Sequence, residues 1–356
     1  MIELSHTESR ARLRTWLAVG YMLFIVYGSL SPFSGWRGQG LDFSEVLRAP
    51  FQLTYTGFDA VINLLAYLPF GFLVALALRA RFGALPSVIL GLCIGILLSA
   101  SMEYLQMYLP SRTSSNLDLL NNSAGALIGS LLAVSMTSWT WFFSRLTRWR
   151  SQLFRHGHAM DFGLALIALW MFGQVNPSLP MLGNVFITEV AHHPFLPPPS
   201  ARFDALESGA VMLNLLMLGI LMLTLLREPR KIVATMLAVL MLEALAKFIA
   251  AALLLKSWAL LLWLNSTAVL GMLLGVMLLL TILWLPRAVA IALGALVSIS
   301  YFVIVNFLLD SSAPSASMSI YHWHYGHLLN FNGLAQTITL VFPLMLLFHL
   351  WRIRKV

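Results

Sequence analysis

The residue types best suited to chemistry gather between Glu103 and Gly129, in the run EYLQMYLPSRTSSNLDLLNNSAGALIG. Glu103 and Gln106 lie three residues apart, on one face of a helix end. Pro110 stops that helix, and Arg112 sits in the short connector after it. Asp118, Asn122, Gly125 and Gly129 then follow at i, i+4, i+7 and i+11, one stripe of the next helix. A planar arginine fork suits a carboxylate or a phosphate. Two carboxylates beside it can orient that fork or do acid–base work on a glycosidic or phosphate ester bond. No nucleophile, metal triad or phosphate loop accompanies them, so a structural ion-pair network that holds helix ends together, or a binding site, is favoured over a catalytic one. Upstream, Asp59 and Asn63 add one more carboxylate and one more amide. The stripe that continues as Gly125 and Gly129 predicts a face packed closely on a neighbouring helix.

The elements that must position these groups are membrane helices. Of 356 residues, 59% are hydrophobic and 10% charged, with a mean hydropathy of +0.83; a soluble domain is about 25% charged. Runs of roughly 17–25 apolar residues meet the length needed to span a bilayer. Ten occur, near 14–32, 59–79, 86–109, 117–141, 161–177, 208–226, 231–255, 258–285, 287–309 and 334–351. The eighth is interrupted at Asn265-Ser266, where a kink or break is expected.

The net charge of +8 is spread in short basic clusters between apolar runs, which is topology information and no nucleic-acid surface. Under the positive-inside rule, sixteen Lys and Arg fall on one side of the ten runs and five on the other. Both termini are then cytoplasmic in a plasma membrane, with outer loops near 33–58, 178–207 and 310–333. Asp59, Asn63, Glu103, Gln106, Arg112, Asp118 and Asn122 all fall at the outer ends of three consecutive helices, where Arg112 is expected to bridge Glu103, Asp118 and Asp59. Residues 1–141 read as a four-helix membrane domain, 142–160 as a basic cytoplasmic linker and 161–356 as a second membrane domain of about six helices. Phe58-Asp59-Ala60 recurs as Phe203-Asp204-Ala205, and Asn122, Gly125, Gly129 as Asn265, Gly271, Gly275. Those matches are compatible with a parallel duplication of a four-helix unit.

The arrangement E-x2-Q-x3-P-x-R-x5-D-x3-N-x2-G-x3-G, running from Glu103 to Gly129, resembles the VanZ-like family. Asp59-x3-Asn63, Pro69-Phe70-Gly71 and Ser31-Pro32-Phe33 resemble that family's neighbouring helix segments. The resemblance covers roughly residues 14–141. It implies a bacterial cell-envelope protein of the kind associated with low-level teicoplanin resistance, and it implies no reaction.

Other candidate groups are weaker. Glu243 and Lys247 stand i, i+4 apart inside the seventh run, a spacing that lets them neutralise each other; a transporter relay would need further intramembrane ionisable groups. His192-His193 and the histidines of Tyr321–His327 lie in outer loops, where the flanking Tyr and Trp also suit an aromatic belt. No metal or cofactor is expected, and the single Cys93 permits no internal disulfide. The expectation is an all-α polytopic membrane bundle whose outward polar site recognises a cell-wall or lipid-linked precursor, or a glycopeptide. The competing readings are an enzyme on a polyprenyl phosphate or lipid-linked saccharide, and a transporter. Membrane lipids are the expected surroundings.

Overall fold

The computed structural model of the protein describes residues 2–31, 33–40, 42–50, 57–110, 112–138, 140–187, 204–309, 320 and 327–354. Among these, every element is helical apart from an isolated bridge between Phe154 and Leu226. The chain forms two compact units, Met1–Gln152 and Leu153–Val356.

The first unit contains α1 (Ile2–Leu30), α2 (Phe43–Arg48), α3 (Gly57–Phe82), α4 (Ala84–Gln106), α5 (Asn116–Ser138) and the start of α6 (Thr140–Leu153). Gly83 alone separates α3 from α4. Its φ of +85° is a conformation that side chains resist, and it turns the chain back so that the two helices run antiparallel. The tightest packing joins α3 to α5. A methyl group on Gly125 would collide with the Leu64 carbonyl, one on Gly129 with the Leu68 carbonyl, and one on Gly71 with the Ala126 carbonyl. Helix backbones therefore touch directly along this seam, the packing that small residues permit where lipid supplies no hydrophobic drive. The Ser130 hydroxyl closes it by donating to the carbonyls of Gly71 (3.1 Å) and Ala126 (2.8 Å).

Residues 140–153, most of them in the stretch read as a basic linker, are helical as α6. Its Trp141 and Trp149 are exposed beside Arg145, whose guanidinium lies 5.0 Å over the Trp141 ring. Such a mix of tryptophan and arginine suits a membrane surface.

The second unit contains α7 (His158–Gln174), α8 (Ala205–Leu225), α9 (Ile232–Leu254), α10 (Ser266–Ile282), α11 (Arg287–Val303) and α12 (His327–Arg354). Helix α8 is its hub, buried on nearly all sides and packed by α7, α10 and α11. Gly271 approaches the Ser208 carbonyl at a distance that leaves no room for a methyl, so α10 lies on α8 by a glycine seam of the same type as α5 on α3.

Among the described residues, eight helices are long and apolar enough to cross a membrane. The other two of the ten expected runs fall on α7 and α10, helices of 17 residues. Each is about 25 Å long, short of the ~30 Å hydrocarbon core. Helix α10 is short because Asn265 caps it, its side chain accepting from the Ala268 N–H at 2.8 Å; residues 258–264 form turns before that cap. Helix α7 ends at Gln174, and the chain beyond it departs from the expected outer loop. Asn176, Ser178, Leu182, Asn184 and Phe186 are buried in a non-helical segment, since side chains of the second unit satisfy its backbone.

Candidate functional site

Three i, i+4 pairs converge at one end of α3, α4 and α5. They are Asn63 and Tyr67 on α3, Ser99 and Glu103 on α4, and Asp118 and Asn122 on α5. Because α4 runs opposite to its two neighbours, the pairs form two layers. The layer nearest the helix ends holds Asn63, Glu103 and Asp118. One turn further in lie Tyr67, Ser99 and Asn122.

In the first layer the Asn63 amide donates to the Asp118 carboxylate. Glu103 accepts from the Ser115 N–H at 2.8 Å. Ser115 opens α5, its own hydroxyl accepting from the Leu117 N–H at 3.2 Å. Glu103 of α4 thus satisfies a backbone donor at the start of α5, where the helix dipole also favours an anion. Glu103 and Asp118 feel each other electrostatically, and Glu103 is only 3% exposed.

In the second layer the Asn122 amide donates to the Ser99 hydroxyl at 2.9 Å. The buried Tyr67 hydroxyl faces Ser99 and lies within electrostatic range of Glu103 and Asp118; the Asn122 carbonyl oxygen is buried and makes no hydrogen bond among the described residues. Buried polar atoms are rarely left so in native proteins, and the exceptions mark sites of interest. Below this layer Ala126 is fully buried and the glycine seam closes the floor. Asn63 and Asp118 are half-buried while Tyr67, Ser99 and Asn122 are buried, so the side chains form a polar funnel in the sense that burial deepens inward.

Arg112 bridges neither Glu103 nor Asp118. Its Nε donates to the Ser31 carbonyl at 3.3 Å, and Nη2 donates to the carbonyls of Gly28 (2.9 Å) and Ser31 (3.0 Å). Gln106 donates to the neighbouring Ser29 carbonyl at 3.0 Å. Both side chains therefore satisfy the orphan carbonyls at the C-terminus of α1, where a cation is also favoured by the dipole. The chain leaves α1 through Phe33, which has a left-handed φ of +59°. That strained turn holds the carbonyls in place for Arg112. Partial burial lowers the Arg112 guanidinium from its ordinary value, and it stays cationic. Nη1 makes no hydrogen bond among the described residues.

A second wall comes from the segment after α1. The Arg37 N–H donates to the Tyr108 carbonyl at 2.9 Å, Gln39 to the Met107 carbonyl at 2.8 Å, and Asn116 to the Ala49 carbonyl at 2.6 Å. Arg37, Gln39 and Ala49 therefore lie against the α4–α5 connector and the start of α5. A cavity of about 570 Å³ lies elsewhere, between α1, α3 and α4, and is lined mainly by apolar side chains such as Val74, Leu78 and Ile94.

Of the residues singled out in the sequence, Asn63, Glu103, Asp118 and Asn122 meet in the funnel, and Gln106 and Arg112 meet on α1. Gly125 and Gly129 face α3. The Asp59 side chain, His192-His193 and Tyr321–Gly326 lie outside the described residues. Tyr67 and Ser99 escaped notice, though each stands one helical turn from a residue that did not.

Residues 5–139 match the model of the VanZ/LLP1 family. No curated protein and no solved structure matches the chain.

Proposed function

With a VanZ-like domain as its N-terminal half, this chain is a multi-pass membrane protein, and we propose that the domain binds an anionic headgroup at the outer face of a bacterial inner membrane. The headgroup belongs to a lipid-linked or cell-wall precursor, or to a glycopeptide that mimics one. Both termini are cytoplasmic in this reading, which rests on the sixteen-to-five distribution of basic residues.

The observation that carries the proposal is the state of Arg112. A charged group at a membrane-helix end pairs with an opposite charge or with backbone carbonyls, and it marks a candidate ligand site. This one is half-buried, fixed from one side by α1 carbonyls and joined to no carboxylate among the described residues. It is a preorganised cation, and phosphate is the partner that its fork suits. In this reading Asn63, Asp118 and Glu103, at the ends of the helices that the Arg112 connector joins, supply hydrogen-bonding groups for the rest of the ligand.

The test uses the full chain in lipid nanodiscs with a polyprenyl pyrophosphate as probe. Arg112→Ala should weaken binding by about tenfold or more, the worth of one hydrogen bond to a charged group, and should alter teicoplanin sensitivity in cells. Equal affinity in a folded, inserted variant removes the basis of the proposal. A second reading, an enzyme on such a lipid, is favoured by the electrostatic contact of Glu103 with Asp118, because coupled carboxylates can divide the roles of acid and base. Turnover of the probe, abolished by Asp118→Asn with binding retained, would select it.

A further inference from the structure

Helix α9 buries a single stripe, Ile232, Met236, Glu243, Lys247 and Ala251, while residues such as Met241 are largely exposed. Two charged residues thus occupy the buried side of a membrane helix, both at zero exposure. Their spacing would allow an ion pair, yet none forms. The Lys247 ammonium donates to the Gln174 carbonyl at 2.7 Å, at the last residue of α7. Both Glu243 carboxyl oxygens are buried and accept no hydrogen bond.

An ionised carboxylate without a donor in this setting is among the costliest arrangements a protein can hold, and a proton removes the charge. The ammonium is better placed, since the C-terminus of a helix attracts a cation. We propose that Glu243 is a proton-binding site of the C-terminal unit, and that its proton decides whether Lys247 holds the end of α7. In the arrangement seen here Glu243 carries the proton and Lys247 is an ammonium on Gln174. On release, the carboxyl O–H bond breaks, the pair of electrons stays on the carboxylate and the proton passes to water. The ammonium keeps its three protons and turns one helical turn back to pair with Glu243, leaving the Gln174 carbonyl.

That carbonyl is where the helix gives way to the buried irregular segment 175–187. Non-helical backbone at membrane depth persists only when protein satisfies it, and in transporters such breaks sit at ligand and ion sites. Here Glu207 of α8 accepts the N–H groups of Asn184 (2.6 Å) and Val185 (3.1 Å). Asn214 donates to the Leu182 carbonyl at 2.9 Å, and Tyr301 to Asn184 at 2.6 Å. The groups that could also act on Glu243 are few. Lys247 is on its own helix, and α7 carries Gln174 in its last turn and His158 and Asp161 in its first. Helix α8 carries Glu207, already held by two amides, and the turn at Pro229–Lys231 carries Arg230 and Lys231, roughly three helical turns away.

Infrared spectroscopy of the full chain in lipid tests this. The expected signal is the carbonyl stretch of a protonated carboxylic acid free of hydrogen bonds, which disappears as pH rises and is absent from Glu243→Gln. In Lys247→Met the band should persist to higher pH, because the ionised form has lost its partner. Hydrogen exchange of residues 175–187, corrected for intrinsic rates, should rise by about tenfold or more with pH in the wild type, as one charge-assisted hydrogen bond is lost, and stay flat in Glu243→Gln. A wild type without a titrating carboxyl band, a band that survives Glu243→Gln, or exchange that rises equally in that variant would overturn the proposal.

Discussion

Arg112 shows why side-chain identities alone mislead at the scale of single residues. Glu103 and Asp118 lie nearby in the sequence, and an ion pair is the natural expectation. The partners that win are backbone carbonyls at the end of α1, which no sequence displays as side chains. The consequence is measurable. Arg112→Lys keeps the charge, but one ammonium cannot span Gly28, Ser31 and a ligand as a planar fork does. It should lose most of the probe binding and about 1–2 kcal/mol of stability in detergent unfolding. Ser99 and Asn122 give a second residue-scale prediction. Each alone, changed to Ala, leaves the other's buried polar atom without its partner and should cost about 1–3 kcal/mol. The double variant should cost clearly less than the sum, a coupling read from a double-mutant cycle; strict additivity would mean that their 2.9 Å contact contributes nothing. Tyr67 and Ser99 were illegible because a tyrosine in a membrane helix usually serves an aromatic belt, and a serine usually bonds its own backbone.

Helices and their seams were more legible, because hydrophobic length and small-residue spacing are direct consequences of the bilayer. The stripe from Asp118 to Gly129 identified a face in contact, and the break at Asn265 is an N-cap. The chain just after α7 was not legible. Residues 178–187 carry Pro, Asn and Gly and read as an outer loop, whereas Glu207, Asn214 and Tyr301 bury them from distant positions. Glycine substitutions separate the seams by their tightness. Gly129→Ala drives a methyl into the Leu68 carbonyl, and the backbone of α3 cannot yield. Its cost should exceed the about 1–3 kcal/mol of ordinary overpacking. At Gly275 the nearest atoms, in Leu215 and the Met212 carbonyl, stand 3.2 Å from a built methyl, so Gly275→Ala should cost about 1 kcal/mol or less. Thermal unfolding of the two purified variants checks the order.

For the whole molecule, the VanZ-like N-terminal unit and the C-terminal unit each place costly polar groups where helices end or break, the first at Glu103 and Asp118, the second at Glu207 and Gln174. Composition already required a membrane protein; which end of α3, α4 and α5 faces outward decides whether the funnel meets the envelope. One measurement bears on orientation and binding together. With Cys93 replaced, Thr113→Cys puts a thiol on the exposed residue beside Arg112. A membrane-impermeant maleimide added outside intact cells should label it, and a polyprenyl pyrophosphate should slow that labelling while failing to do so when Arg112 is also Ala. Labelling only after the membrane is opened, or a rate that ignores the lipid, would contradict an outward anion site built on Arg112.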